Sequence, residues 1–429
     1  VLRIRCMRVR VKGMKKVDPM RFDVIVIGGG AAGMMAAGTA AARGKRVLLF
    51  EKNDRLGEKL RISGGGRCNI TNAEEDVQVL LKKYDEAEQF LYSAFSEFGV
   101  KDTFQFFESR NLPLVVEANK RAFPKSQSAA DVVRIMAEYV AKGKVDVRLK
   151  TPARRIVGKD GKVEKVIASG GEYFADSYIV STGGVSHPET GSTGDGFGWL
   201  KELGHTVQDP TPTIVPLKAK EKWLRDLSGT TLPSVKITFY VGKEKKFSKS
   251  GNILLAHFGL SGPLILNSAA QVADLLQEGT VTARIDLYPS LDIGTLDKKL
   301  TEHFDANKNK LLKNVVKEFT PAGTGDVLLT LVPSVDPEKK VHSITKEERR
   351  ALVDMLKGLP VTIPGLMGLD RAVIADGGVP LTEMDMRTMR SKVCSNLFII
   401  GDLLHINRPS GGYSLQLCWT EGYIAGKNA

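Results

Sequence analysis

Cysteine is scarce in this chain: four in 429 residues (Cys6, Cys68, Cys394 and Cys418), with no C-x-x-C and no paired spacing. That excludes a disulfide framework and a zinc site built on cysteine pairs, and it fits a reducing, cytoplasmic compartment. No apolar run approaches the roughly 20 residues needed to span a bilayer, so no membrane contact is expected. Aromatic residues are only 7% of the chain. Beside the lysine runs at 243–249 and 308–313 they are too few to suggest a specific nucleic-acid face, and those runs read as solvated surface. Acid is missing from residues 1–16, where Lys and Arg supply seven of the formal net charge of +13 and leave +6 for the rest. This basic start has no continuous apolar stretch of the kind a secretory signal needs. Met14 or Met20 would serve as an ordinary beginning, and residues 1–19 are expected to lie outside the fold. A mildly basic body needs no nucleic-acid partner to explain it, and the composition sets no oligomeric state. At 42% hydrophobic and 26% charged, the rest reads as a globular chain large enough for two or three domains.

The chain is rich in glycine at chosen places. Residues 22–33 read F-D-V-I-V-I-G-G-G-A-A-G, an apolar strand entering a glycine turn, and the next apolar run, V-L-L-F, ends on Glu51. An unbroken apolar run suits a parallel strand covered on both faces. Gly28 permits the tight turn, Gly30 lets the backbone approach a pyrophosphate, and Gly33 lets the following helix pack close to the strand. The helix opens at Ala31 and Ala32, with its free N–H groups and positive dipole end facing the phosphates. Glu51 follows Gly30 by 21 residues, where a carboxylate accepts hydrogen bonds from a ribose diol, with Lys52 beside it. Strand, turn, helix, strand and acid in that order predict a dinucleotide-binding βαβ unit.

A second glycine run follows directly, R-I-S-G-G-G-R-C-N at 61–69. Gly64, Gly65 and Gly66 expose backbone amides to a flat or anionic ligand, with Arg67, Cys68 and Asn69 next to them. Near the C-terminus, N-L-F-I-I-G-D is another buried strand, ending on Gly401 and Asp402, a carboxylate suited to flavin ribityl and ribose hydroxyls. P-S-G-G-Y-S-L-Q at 409–416 then starts a helix. Its opening residues, Gly411, Gly412, Tyr413 and Ser414, can face a flavin pyrimidine ring and stabilise negative charge on the reduced form. The lack of paired cysteines argues against a dithiol relay to such a flavin.

These motifs, together with I-V-S-T-G-G at 179–184, T-G-S-T-G-D-G at 190–196 and H-F-G-L-S-G-P at 257–263, resemble the BaiN/YhiN-like bacterial flavoproteins, also described as aminoacetone-oxidase-like. The resemblance runs from about residue 22 to the C-terminus. It implies non-covalent FAD on a glutathione-reductase-like Rossmann domain interrupted by a second domain, and it leaves the substrate open. The chain departs from the family pattern at Asp402, where many relatives carry Glu, and at His405, where they carry an acid.

The expected fold class is therefore α/β: an FAD-binding Rossmann domain with a β-meander, interrupted by an inserted antiparallel β plus helical domain. The first part spans 20–205, the β-barrel-like and helical insert 206–370, and the returning part 371–429. Amphipathic helices within 76–110 are expected to cover the first glycine loops. V-D-V-R-L at 145–149 supplies the next parallel strand, with Ala153 after it against the adenine. The meander, 154–174, returns into a strand that ends at Thr182, Gly183 and Gly184. In the insert, 211–217, 235–241 and 282–288 read as antiparallel strands, and 295–319 and 345–359 as helices.

The insert should cap the flavin and define a small-molecule substrate. His257 is a candidate proton-transfer group, beside a structural reading of equal weight. Arg67 can bind a substrate carboxylate or the flavin, against a loop salt bridge, and His405 is a further catalytic candidate. No second nucleotide fold follows from 191–198, whose glycines have the wrong spacing. The electron partner stays open between NAD(P)H reaching the flavin transiently and a substrate that reduces it with oxygen as reoxidant. The leading expectation is an FAD-dependent oxidoreductase. An FAD-dependent RNA-modifying enzyme and a non-catalytic flavin-binding or electron-transfer protein are the alternatives.

Overall fold

A computed structural model describes residues 20–429; the expectation for residues 1–19 falls outside them. Strand β1 (Arg21–Ile27), helix α1 (Ala31–Ala42) and strand β2 (Val47–Phe50) form the predicted βαβ unit, with β1 and β2 parallel from Val24 opposite Val47 to Ile27 opposite Phe50. Five parallel strands make the centre of the main sheet, in the order Leu397–Ile399, Gly171–Val180, β1, β2, Asp146–Arg148. All four residues of β2 are buried, as the unbroken apolar run requires. The antiparallel strands Ala153–Lys159 and Lys162–Ala168 join the start of Gly171–Val180 as the meander, whose third strand continues straight into the main sheet.

Helix α1 is buried from Ala32 to Ala40 because it is sandwiched between the sheet and the last helix, Tyr413–Asn428. Glycines on the last helix make this approach feasible: a Cβ at Gly422 would lie 2.5 Å from the Ala32 carbonyl oxygen. The helices Glu88–Glu97 and Val100–Glu108 pack on that last helix, with Phe98 stacked on Tyr423 and Phe107 edge-on to Trp419. Neither helix lines the cavity beside the glycine turns that these helices were expected to cover; their aromatic residues pack on the last helix instead.

A separate hydrophobic cluster holds buried residues from Val215 to Ala372. Its six-stranded sheet is antiparallel around Thr231–Val241, Glu244–Ala256 and Val281–Asp286. Three local expectations differ. Residues 295–319 are not one helix: Ile293–Ala306 ends at Asn307, whose Nδ2 donates to the His303 carbonyl at 2.9 Å, and a short helix resumes at Leu312–Val316. The second helix ends at Lys357, because Gly358 breaks it and Leu359–Ile363 pairs with Val281–Asp286. Gln208–Ile214 stays out of the six-stranded sheet and pairs with Ile374–Gly378, so the chain enters and leaves this unit through one two-stranded ribbon.

Candidate active site

A cavity of about 1180 Å³ opens between the two units. Gly28, Gly30, Ala31 and Ala32 form one wall. Gly30 has φ −78° and ψ −169°, ordinary extended backbone, and a Cβ added there would meet nothing within 4 Å. Its bareness thus opens the space in front of α1, whose N-terminus carries no side-chain cap. Gly33 lies behind, outside the cavity, where a Cβ would come within 1.9 Å of the Gly28 carbonyl oxygen and 2.6 Å of Ser181 Oγ. The two glycines therefore differ: one leaves space open to the cavity, and the other permits close helix-to-strand packing.

Glu51 is buried at the same end of the cavity. Its Oε2 accepts from the Gly29 N–H at 2.7 Å and its Oε1 from the Asn53 N–H at 2.8 Å, so it holds the glycine turn as well as facing the ligand space. Lys52 lines the cavity with its Nζ held by Thr193 Oγ1 at 2.5 Å and Asp195 at 2.8 Å. Ala153, Thr182 and Gly183 also line it. Gly184 does not; it packs under Asp402, whose carbonyl oxygen would lie 3.2 Å from an added Cβ.

The second glycine run folds as a tight turn with Gly64 and Gly65 at positive φ and on the cavity wall. Gly66 is exposed beyond it. Cys68 turns away from the cavity and is fully buried, which pushes its thiol up to about 12; it is a packing residue. Asn69 faces the cavity, and its Oδ1 is buried without a hydrogen-bond partner among the described residues. Arg67 lies on the wall but is committed: it pairs with Glu117, bonds Gln127 at 2.5 Å and stacks 4.1 Å above the Phe123 ring.

Gly401, Asp402 and the start of the last helix, Gly411 to Ser414, complete the wall. Asp402 is the hub of a charged network. Lys59 Nζ donates to Asp402 Oδ2 at 3.1 Å and to Ser186 Oγ at 2.6 Å. Arg408 pairs with Asp402 Oδ1 and reaches Ser414 Oγ at 3.0 Å and the Ile406 carbonyl at 2.6 Å. Burial alone would raise the Asp402 carboxyl, but the two cations outweigh it and hold it at about 2. Beneath them Glu421 is fully buried, accepts from the Gly401 N–H at 2.6 Å and is pushed up to about 8 by that burial. Lys59 and Arg408 were not predicted. Arg408 stands one residue before the recognised 409–416 motif, and the signal for it was that adjacency.

Two catalytic candidates lie elsewhere. His257 is exposed at the turn between Glu244–Ala256 and Gly259–Ser261, edge-on to Phe258 and outside the cavity. His405 also lies off the cavity; its N–H donates to the Val379 carbonyl at 2.9 Å, and its Nδ1 is buried without a partner among the described residues. The insert instead contributes Ser250, Asn252, Leu254, Leu264 and Asn267. Asn267 Oδ1 accepts from Ser410 N at 3.0 Å and Oγ at 2.9 Å, tying the insert to the loop that starts the last helix.

The donor set fits a flavin dinucleotide: a bare helix N-terminus behind Gly30, a carboxylate at one end, an amide oxygen at Asn69 with no partner among the described residues, and a second helix N-terminus at Gly412. The sequence profile of the HI0933-like protein Rossmann domain matches residues 22–428. The chain belongs to this family. That agrees with the resemblance drawn from the motifs. A 3-dehydro-bile acid delta(4,6)-reductase of Clostridium scindens is 27% identical over 94% of this chain and 98% of its own length. A ribosomal RNA dihydrouridine synthase of Escherichia coli is 28% identical over 95% and 98%. Among solved structures, 3-ketosteroid-delta4-(5alpha)-dehydrogenase from Rhodococcus jostii RHA1 aligns over 96% of this chain and 97% of its own, with TM-score 0.55 at 14% identity, a likeness of fold. This member of the HI0933-like family is an FAD-dependent oxidoreductase. Among the described residues no helix is long and apolar enough to cross a membrane, and no cluster of His, Cys, Asp and Glu could hold a metal ion.

Proposed function

We propose that this oxidoreductase saturates a carbon–carbon double bond conjugated to a carbonyl, in a small molecule held between the flavin cradle and the insert. The observation that carries the reading is the single continuous cavity, walled by the glycine turns on one side and by Ser250, Asn252, Leu254, Leu264 and Asn267 on the other. Two full-length relatives bear names that describe saturation of such bonds, a bile-acid reductase and a dihydrouridine synthase. When bound, FAD supplies a two-electron donor for the β carbon.

The chain's own residues then orient the substrate, exclude water and supply a proton to the α carbon. Asp402 cannot give that proton, since Lys59 and Arg408 hold it ionised. Tyr413 lines the cavity at the head of the last helix, burial raises its hydroxyl, and that hydroxyl makes no hydrogen bond among the described residues. We assign the proton transfer to Tyr413. The residues that the sequence predicts as cofactor contacts, from Gly28 to Ser414, keep that role here except Gly33, Gly66, Cys68 and Gly184, which support the wall from behind or beyond it. Residues 20–205 and 371–429 form the FAD domain and 206–370 the cap, a division supported by the two hydrophobic clusters. NAD(P)H is the proposed electron donor, entering the same cavity before the substrate, and the buried free thiols Cys68 and Cys394 suit a cytoplasmic setting.

The test is anaerobic: bleach the FAD-loaded protein with NADH or NADPH, then offer a 3-oxo-4-ene steroid acid or uridine and watch the oxidised flavin band return. Return with either acceptor supports the reading, and Tyr413→Phe should slow it on the order of 100-fold. Reoxidation by oxygen alone would refute it, and return only with uridine inside RNA would move the substrate class from small molecules to RNA.

A further inference from the structure

The hairpin formed by Leu114–Glu117 and Arg121–Pro124 carries a cation with no counter-charge among the described residues. Side chains alternate along a strand, so Arg121 and Phe123 share one face, and both line the cavity, while Ala122 is buried on the other. Around the hairpin tip the other charges are paired. Arg67 pairs with Glu117, and Lys120 with Glu74 at 2.5 Å. Glu117 is the cross-strand neighbour of Arg121, but its Oε1 is taken by Arg67 and by Gln127. Arg121 has no carboxylate partner among the described residues; its Nε donates to the Ala118 carbonyl at 3.2 Å, and its Cζ lies 5.8 Å from the Phe123 ring centroid.

That leaves a guanidinium oriented by one backbone bond and an aromatic ring, with its terminal N–H groups uncommitted on a cavity wall. Its planar fork matches a carboxylate or a phosphate. The tip is also tied to the loop that starts the last helix: Asn72 Nδ2 donates to the Asn119 carbonyl at 3.1 Å and to the Gly411 carbonyl at 3.3 Å. Arg121 thus belongs to a hairpin bonded to the loop that leads into Tyr413, to which the proton transfer is assigned.

We propose that Arg121 binds an anionic group, carboxylate or phosphate monoester, carried by the substrate at a distance from its reacting double bond. The inference rests on the reductase reading for where the substrate lies, but its test does not depend on turnover. Titration calorimetry of the FAD-loaded protein compares a 3-oxo-4-ene steroid acid with its methyl ester, and uridine 5′-monophosphate with uridine. The wild type should bind at least one anion about tenfold tighter than its neutral partner, as a charge-assisted bond predicts. Arg121→Gln should abolish that preference and Arg121→Lys recover part of it, at unchanged flavin content. Which pair shows the preference separates carboxylate from phosphate. Equal binding within both pairs, no binding of any of the four, or equal weakening of acid and ester in Arg121→Gln would overturn the proposal. An anion preference in a protein that reduces no conjugated double bond would instead leave Arg121 in place and refute the reductase reading.

Discussion

Gly30 and Gly33 sit three residues apart in one turn, yet substitution should separate cofactor binding from folding. At Gly33 a Cβ would lie 1.9 Å from a backbone oxygen and 2.6 Å from Ser181 Oγ. Neither can yield without moving α1 off β1 by more than about 1 Å, and overpacking of this kind costs about 3 kcal/mol. At Gly30 the backbone is ordinary and the Cβ meets nothing within 4 Å. Gly30→Val should therefore leave the stability of the apoprotein within about 0.5 kcal/mol. The same side chain would occupy the space proposed for the pyrophosphate, and a clash of about 3 kcal/mol is a loss on the order of 100-fold in Kd. The assay pairs flavin content and FAD titration with urea unfolding of the apoproteins. Gly30→Val should come out colourless and stable, and Gly33→Ala destabilised before any ligand is added. A yellow Gly30→Val with wild-type affinity, or an apo Gly33→Ala as stable as wild type, would refute this division of labour.

Glu51→Ala should weaken FAD and also lower apoprotein stability by about 2 kcal/mol, since it strands the Gly29 and Asn53 N–H groups; unchanged unfolding midpoints would remove its structural role. Asp402→Asn leaves Arg408 and Lys59 without their carboxylate and should cost about 3 to 5 kcal/mol, a value that a denaturant titration near neutral pH reads directly. Glu421 is held protonated, with a folded value of about 8 against 4.5, so the native state binds the extra proton and stability falls as pH rises between those values. That dependence amounts to on the order of 5 kcal/mol. Glu421→Gln should flatten it, and parallel pH curves for variant and wild type would show that Glu421 is not the titrating group.

The parts of the site legible in the sequence were those whose logic is local. Gly28, Gly30, Gly33 and Glu51 act through one strand, one turn and the neighbouring strand, so their spacing carries their geometry. Gly64, Gly65 and the run at 411–412 were legible for the same reason, as backbone left bare on the cavity wall, while Gly66 falls beyond it. Where a side chain's environment comes from afar, the sequence carries no local signal of it. Cys68 and Asn69 are sequence neighbours, yet one is packed away and the other faces the cavity, because the left-handed turn at Cys68 rotates them apart. Asn307 and Gly358 broke expected helices through single-residue chemistry that apolar periodicity does not register.

The sequence by itself determined the dinucleotide-binding βαβ unit, because glycine spacing and apolar runs act within a few tens of residues, and its motifs carried the resemblance that implied the flavin family and the redox class. Only the tertiary structure decided that Asp402 answers to Lys59 and Arg408, that His257 stands outside the site, and that Arg121 faces the cavity with no carboxylate partner among the described residues. Each depends on segments up to 343 residues apart in the chain, brought together by packing two hydrophobic units around one cavity, and no local pattern encodes which charges will then find partners.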